Sequence, residues 1–152
     1  MDYVAMIDAD FTYPAIFFLD MIEILDCHPN VGMVCGNRFA EMESNSMPNH
    51  FFVGNRMLAF VHKVLNGINL EDPLTGLRVM RREVVDTWVP KSKGFDIEVE
   101  LNSLVKKKGY DIVEIPIKYR PRIGEKKLKP KDGFKIFNRI IYRWNNMFVR
   151  II

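Results

Sequence analysis

Two acidic residues, Asp8 and Asp10, stand one residue apart just beyond the short apolar run Tyr3-Val-Ala-Met-Ile7. Carboxylates at i and i+2 past a buried strand can point the same way and share one hard cation. Mg2+ or Mn2+ prefers such oxygen ligands and completes its shell with water and substrate phosphates. Taken alone, the pair also reads as a solvated strand-end turn. A second group is basic: Arg122, Lys126 and Lys127 in Arg122-Ile-Gly-Glu-Lys-Lys-Leu128. A glycine-containing basic segment can wrap a phosphate, Arg in bidentate fashion and Lys as a point charge. Its plain alternative is a solvated loop. Asp72, in Asp72-Pro-Leu-Thr-Gly76, is either an acid/base residue or the start of a turn, and the proline and glycine favour the turn. Glu98 and Glu100 do not share a helix face and read as exposed charges. His28, His50 and His62 have no metal-ligand spacing and read as structural or surface residues. No P-loop, GxGxxG, HExxH or GxSxG pattern occurs.

These groups need elements to hold them. Tyr3–Ile7 lacks a helical period and reads as a buried strand. Thr12 and Pro14 resemble a helix start, which predicts a helix from Pro14 to Cys27. His28-Pro-Asn30 ends it, because a residue before proline avoids the helical region. Val31–Cys35 is a second buried strand, expected to end at Gly36-Asn-Arg38, with a polar loop over Phe39–Asn49. His50–Leu65 returns to helical spacing, and Asn66-Gly67 carries a left-handed cap signature. Leu77–Met80 reads as a strand, Arg82–Trp88 as a short helix, and Phe95–Lys108 as a helix closed by Gly109. Tyr110–Tyr119 is a further strand, in which Pro116 argues for an edge or a bulge. Arg120–Lys131 has no period and is expected to be a loop.

Gly133–Ile152 is the cleanest amphipathic segment. At roughly 100° per residue, Phe134, Phe137, Ile140, Ile141, Trp144, Phe148 and Ile151 cluster on one face, and Lys135, Arg139, Arg143 and Arg150 on the other. Such a helix either packs on its own core or lies on an anionic leaflet. Strands alternating with helices imply an α/β domain. Ligands of such sheets sit at the carboxyl ends of the strands, where Asp8, Asp10 and Arg38 fall.

Composition narrows the class. The 152 residues suffice for one domain with a real core, and 48% hydrophobic with 27% charged residues excludes a disordered chain. No apolar run reaches the ~18 residues of a membrane-spanning helix. Two cysteines cannot make a disulfide framework, and Met1-Asp2-Tyr3 lacks a basic leader, so a reducing, cytoplasmic setting is expected. The net charge of +3 divides unevenly: Lys118 to Ile152 carries 11 Lys/Arg against 2 Asp/Glu, the remainder 11 against 17. A basic tail on an acidic body points to an anionic partner: phosphate, nucleic acid or an acidic membrane surface. The tail has no recognised RNA or DNA module, so nucleic acid is not expected.

The motifs also fall in a telling order. Val4-Ala-Met-Ile-Asp-Ala-Asp10 is followed by Pro14, Val34-Cys-Gly-Asn-Arg38, Gly54-Asn55 and Asp72-Pro-Leu-Thr-Gly-Leu-Arg78. Then come Gly94-Phe-Asp-Ile-Glu98-Val-Glu100, Glu114-Ile-Pro-Ile-Lys-Tyr119 and Arg122-Ile-Gly-Glu-Lys-Lys-Leu128. The series, from about Tyr3 to Leu128, resembles the family 2 glycosyltransferases, in their dolichol-phosphate mannosyltransferase-like (polyprenyl-phosphate glycosyltransferase) branch.

That resemblance implies a partial glycosyltransferase-A, Rossmann-like α/β fold over residues 1–131, followed by an amphipathic, membrane-interfacial helix over 132–152. It implies inverting, metal-dependent transfer of a sugar from a nucleotide-sugar donor to a polyprenyl or dolichyl phosphate, peripheral to the cytoplasmic membrane face. By motif match, Asp8 and Asp10 hold Mg2+ or Mn2+. Asp72, Arg122 and Lys127 stand near the reacting centre, and Arg38, Arg78 and Lys126 bind substrate. Thr12 replaces a family Gln, and Lys126 replaces a family Ser. The family's N-terminal nucleotide-binding half has no counterpart here. The chain is therefore expected to be a fragment or one half of an enzyme, which dimerises or binds a second chain that supplies the rest. The alternative is an inactive remnant or partner-binding half.

Overall fold

The computed structural model describes residues 2–42, 46–121 and 130–148. The elements run β1 (Tyr3–Met6), α1 (Phe17–Cys27), β2 (Val31–Met42), α2 (Asn49–Asn66), β3 (Arg78–Arg81), α3 (Arg82–Val85), α4 (Ile97–Lys107), β4 (Asp111–Tyr119) and α5 (Pro130–Phe148). The four strands form one mixed sheet in the order β1-β3-β2-β4. β3 is antiparallel to both β1 and β2, whereas β2 and β4 are parallel. Hence β1, β2 and β4 all point one way. Their carboxyl ends, together with the turn that feeds β3, meet along one rim.

The sheet is covered on both faces, which explains why β2 reads as a continuous apolar run. Alternation divides its side chains. Val31 and Val34 join Leu77, Val79 and Ile117 beneath Met21 and Leu25 of α1. Met33 and Cys35 join Met80 beneath Val84, Leu101 and Val105 of α3 and α4. Burial pushes the Cys35 thiol up to about 11, so it behaves as a small apolar side chain. A third cluster lies away from the sheet, where Ile136 and Ile140 of α5 meet Val99 of α4 and Leu58, Val61 and Leu65 of α2. His62 is buried on α2, its Nδ1 against the Asn66 amide at 2.9 Å, and desolvation lowers its pKa to about 4.

Several boundaries differ from those the sequence predicts. β2 does not end at Gly36-Asn-Arg38 but runs on to Met42, because β4 continues to pair with it across an irregularity between Asn37 and Glu41. That irregularity lies beside Pro116, which sits on an edge strand as expected. α1 starts at Phe17 rather than Pro14, because the Thr12 hydroxyl bonds to Asp10 instead of capping a helix. The far end of α1 is held from β3: the Arg81 guanidinium donates to the carbonyls of Leu25, His28 and Val31. Gly67 caps α2 at φ 65°, the left-handed conformation expected there. α5 packs inward through Ile136 and Ile140, while Phe134 is exposed. Arg139, expected on a basic outer face, is turned inward and donates to Asp96 Oδ2 at 2.6 Å.

Candidate active site

The turn after β1 builds the first wall of the site. Asp10 Oδ1 accepts from the Thr12 N–H at 3.2 Å and from the Thr12 hydroxyl at 2.6 Å. Closing this tight turn forces Phe11 to φ 63°, a left-handed conformation rare for a bulky residue, with the ring 73% exposed. Asp8 lies over the Thr75-Gly76 turn. A Cβ at Gly76 would fall 2.4 Å from Asp8 Oδ2, so only glycine leaves room for that carboxylate. The Gly76 N–H also donates to the buried Tyr13 hydroxyl at 3.0 Å, which fixes the turn beneath Asp8.

The donor set suits a hard cation. The carboxylate of Asp8 hangs over a glycine cradle, and that of Asp10, two residues on, is held by Thr12. Among the described residues, no group of three or more His, Cys, Asp or Glu side chains forms a full protein cage. An Mg2+ or Mn2+ site of this kind takes its remaining ligands from water and substrate phosphates.

The second wall is a buried ion pair. Asp72 is fully buried, and both its oxygens accept from Arg38: Nε to Oδ2 and Nη2 to Oδ1, each at 2.6 Å. The Arg38 backbone N–H adds a third bond, to Oδ2, at 3.1 Å. Burial opposes the Arg38 charge, but Asp72 more than offsets it and raises the guanidinium pKa above its ordinary value. The group also stacks against Tyr119 and Phe39, 5.6 and 5.7 Å from their ring centres. Asp72 is itself held from β4, where Glu114 accepts from the backbone N–H groups of Glu71 and Asp72, both at 2.7 Å. Asp72 is thus buried with both of its oxygens engaged by Arg38.

Three positions depart from the sequence reading. Arg78, expected to bind substrate, is wholly interior. Its guanidinium donates to the Thr75 and Pro73 carbonyls and to Asn102 Oδ1, so it braces the 72–76 turn from below. Glu100, expected to be an exposed charge, is buried and accepts from Trp88 Nε1 and from the Lys91 and Ser92 N–H groups. Glu98 is only partly exposed. Burial and the nearby Asp8 raise its pKa to about 7 against the pull of Arg78 and Arg38. The structure thereby adds Glu98, Glu114 and Tyr13 to the residues that shape the rim. A carboxylate amid the apolar positions of an edge strand was the available signal for Glu114. Nothing in the local pattern separates Glu98 from Glu100.

Asp8, Asp10, Arg38 and Asp72 therefore converge at the carboxyl rim, with Arg78 behind them. Arg122, Lys126 and Lys127 lie outside the described residues. The segment leading to them starts beside the acidic turn, because the Arg120 N–H donates to the Thr12 carbonyl at 3.1 Å.

No family model matches the chain. It is 34% identical over 130 residues to a dolichyl-phosphate hexose transferase of Haloferax volcanii, covering 83% of this chain and 54% of that protein. It is 33% identical over 144 residues to the glycosyltransferase AglJ of the same organism, covering 93% and 47%. In structure it matches glucosyl-3-phosphoglycerate synthase from Mycobacterium tuberculosis, solved with Mn2+ and UDP-glucose, at a TM-score of 0.68. That match has 15% identity and covers 95% of this chain and 49% of that one. The chain spans about half the length of the curated relatives it matches. Its mixed α/β sheet is that of the GT-A fold. The chain has the GT-A fold and is related in sequence to the dolichyl-phosphate hexose transferases over the part of their length that it spans.

Proposed function

We propose that this chain is the metal- and phosphate-handling half of an inverting glycosyltransferase that moves a hexose from a nucleotide-sugar donor to a polyprenyl or dolichyl phosphate. The observation that carries the reading is the rim itself, with Asp8 over Gly76 and Asp10 in the turn two residues on, and the Arg38–Asp72 pair beside them. The names of the relatives supply the substrate classes. Asp8 and Asp10 would hold Mg2+ or Mn2+, which supplies charge neutralisation for a departing nucleoside diphosphate when bound.

The acceptor is a phosphate monoester with a second pKa near ~6, mostly dianionic at neutral pH. It needs orientation more than a strong base. In this reading Arg38 keeps its charge and aim through Asp72 and faces the anions, and Arg122, Lys126 and Lys127 close over them. Direct displacement at the anomeric carbon inverts its configuration. The domain works at the cytoplasmic membrane face, where its lipid acceptor lies. No helix among the described residues is long and apolar enough to cross a membrane.

The experiment is a transfer assay from labelled UDP-glucose or GDP-mannose to a short polyprenyl phosphate, with and without Mn2+, on the chain and its Asp10→Asn variant. Ion-dependent transfer that the variant abolishes supports the assignment; undiminished transfer by the variant refutes the metal role. A second reading is a non-catalytic half that joins another chain. β1 favours it, as a sheet edge flanked by exposed Val4 and Ile7 that can accept a further strand. Neither transfer nor thermal stabilisation by the donor would support that reading.

A further inference from the structure

Phe11 breaks two local rules at once. Its backbone stands at φ 63°, in the left-handed region that glycine occupies freely and a bulky side chain avoids. Its ring is 73% exposed and joins none of the three apolar clusters of the described residues, so no core packing offsets the strained backbone. The strain is imposed by the neighbours. Asp10 accepts from the Thr12 N–H and hydroxyl, the Thr12 carbonyl accepts from the Arg120 N–H, and the Tyr13 hydroxyl accepts from the Gly76 N–H. Thr12 and Tyr13 are both buried. A glycine at position 11 would close the same turn without strain and without an exposed ring. A residue that breaks such rules with no structural gain is expected where a ligand makes contact. We propose that the Phe11 ring is the apolar wall of the donor subsite, against which the hexose of the nucleotide sugar lies.

Position and charge identify which part of the substrates meets the ring. Phe11 directly follows Asp10, past the end of β1. No Lys or Arg occurs in residues 1–37, whereas six Asp or Glu do. Nothing in this segment attracts an anion, so the part that meets the ring is uncharged. Donor and acceptor together offer three such parts. The hexose is bonded directly to the diphosphate that an ion on Asp8 and Asp10 would neutralise. The base is set apart from that diphosphate by a ribose. The isoprenoid begins beyond the acceptor phosphate, which in-line displacement puts across the anomeric carbon from the leaving group. The hexose alone is both uncharged and adjacent. One face of a hexopyranose carries C–H bonds polarised by their oxygens, and these suit the negative face of an aromatic ring.

This role rests on the nucleotide-sugar donor of the proposed function. The test is calorimetric titration of the full chain in Mn2+ with UDP-glucose against UDP and with GDP-mannose against GDP. Wild type should bind one of the two sugars at least about tenfold more tightly than its bare diphosphate. Phe11→Ala should cut that ratio below about twofold and leave affinity for the diphosphate within about twofold of wild type. Phe11→Gly should lose the same preference yet melt at least about 2 °C above Phe11→Ala, because glycine relieves the left-handed backbone. Cooperative melts also confirm that both variants fold.

Four outcomes overturn the proposal. Phe11→Ala keeps the ratio; wild type binds each sugar and its diphosphate alike; or Phe11→Gly melts below Phe11→Ala, which removes the strain. In the fourth, the variants lose a preference for farnesyl phosphate over inorganic phosphate instead, which assigns the ring to the acceptor. Wild type that binds neither diphosphate in Mn2+ removes the donor reading and the Phe11 contact with it. Intact diphosphate binding with an unchanged ratio removes the Phe11 contact alone.

Discussion

Replacing Asp72 by alanine removes the only carboxylate that the Arg38 guanidinium contacts through hydrogen bonds among the described residues. Two guanidinium bonds and one backbone bond are lost at a fully buried position. Breaking a buried pair from one side leaves an uncompensated charge and costs about 3–5 kcal/mol. For a chain of 152 residues, each kcal/mol corresponds to about 2–4 °C, so the midpoint should fall by roughly 6–20 °C. The double variant Asp72→Leu/Arg38→Met removes both charges and fills the space. It should recover most of that loss, because well-packed apolar replacements of buried pairs are often neutral. Urea unfolding of Asp72→Leu, Arg38→Met and their double variant closes the cycle, and the coupling should exceed about 2 kcal/mol. An Asp72→Ala variant within about 1 kcal/mol of wild type would refute the reasoning. It would show that the Arg38 charge has another route to compensation, and would return Asp72 to the acid/base role open at the sequence level.

The other predictions concern the rim and the pH dependence of folding. Gly76→Ala should displace the Asp8 carboxylate at a stability cost below about 1 kcal/mol, because a side-chain end can swing away. Mn2+ affinity, read by calorimetry in the presence of nucleoside diphosphate, should still fall at least about tenfold; unchanged affinity would detach Asp8 from the ion. Glu98 has its folded pKa raised to about 7, so its contribution is fully present below the unfolded carboxylate value and is lost as pH rises through about 7. Glu98→Gln should therefore gain stability over wild type between pH ~5 and ~8, by up to about 3 kcal/mol in thermal melts. His62 runs in the opposite sense. Its folded pKa of about 4 makes stability fall as pH drops from the ordinary histidine value toward 4. His62→Phe should flatten that acid limb by up to about 3 kcal/mol, whatever its effect at neutral pH.

The sequence is most legible where one local rule acts alone. The buried run of β2, the glycine caps of α2 and α4, and the acidic pair at a strand tip all follow from apolar period, φ preference or strand polarity, whereas Tyr3–Ile7, expected to be a buried strand, forms the exposed sheet edge β1 because only β3 pairs with it among the described residues. It is least legible where a side chain has two possible partners. Thr12 resembles a helix cap until Asp10 is seen to take its hydroxyl. Arg78 stands in a substrate-binding motif but turns into the core, because β3 runs opposite to its neighbours and the Asn102 amide awaits it there. Arg139 belongs to a basic stripe by angle and to Asp96 by contact. Glu98 and Glu100 differ only in which way α4 faces, and that is settled by packing against Trp88 and α5. Long-range pairing decides each of these cases, and residue spacing does not encode it.

The placement of β1 has a consequence for synthesis on the ribosome. Met6 and its partner Arg78 stand 72 positions apart, and β3 is the one strand, among those described, against which β1 can zip. At bacterial or eukaryotic elongation rates of ~5–20 residues per second, roughly 4–14 s pass between the emergence of the two. During that interval the acidic loop has no floor, since Gly76 has not yet been made. The nascent segment can pair with any other edge that it meets, so slower translation across α2 should increase chaperone capture and lower the yield of folded chain.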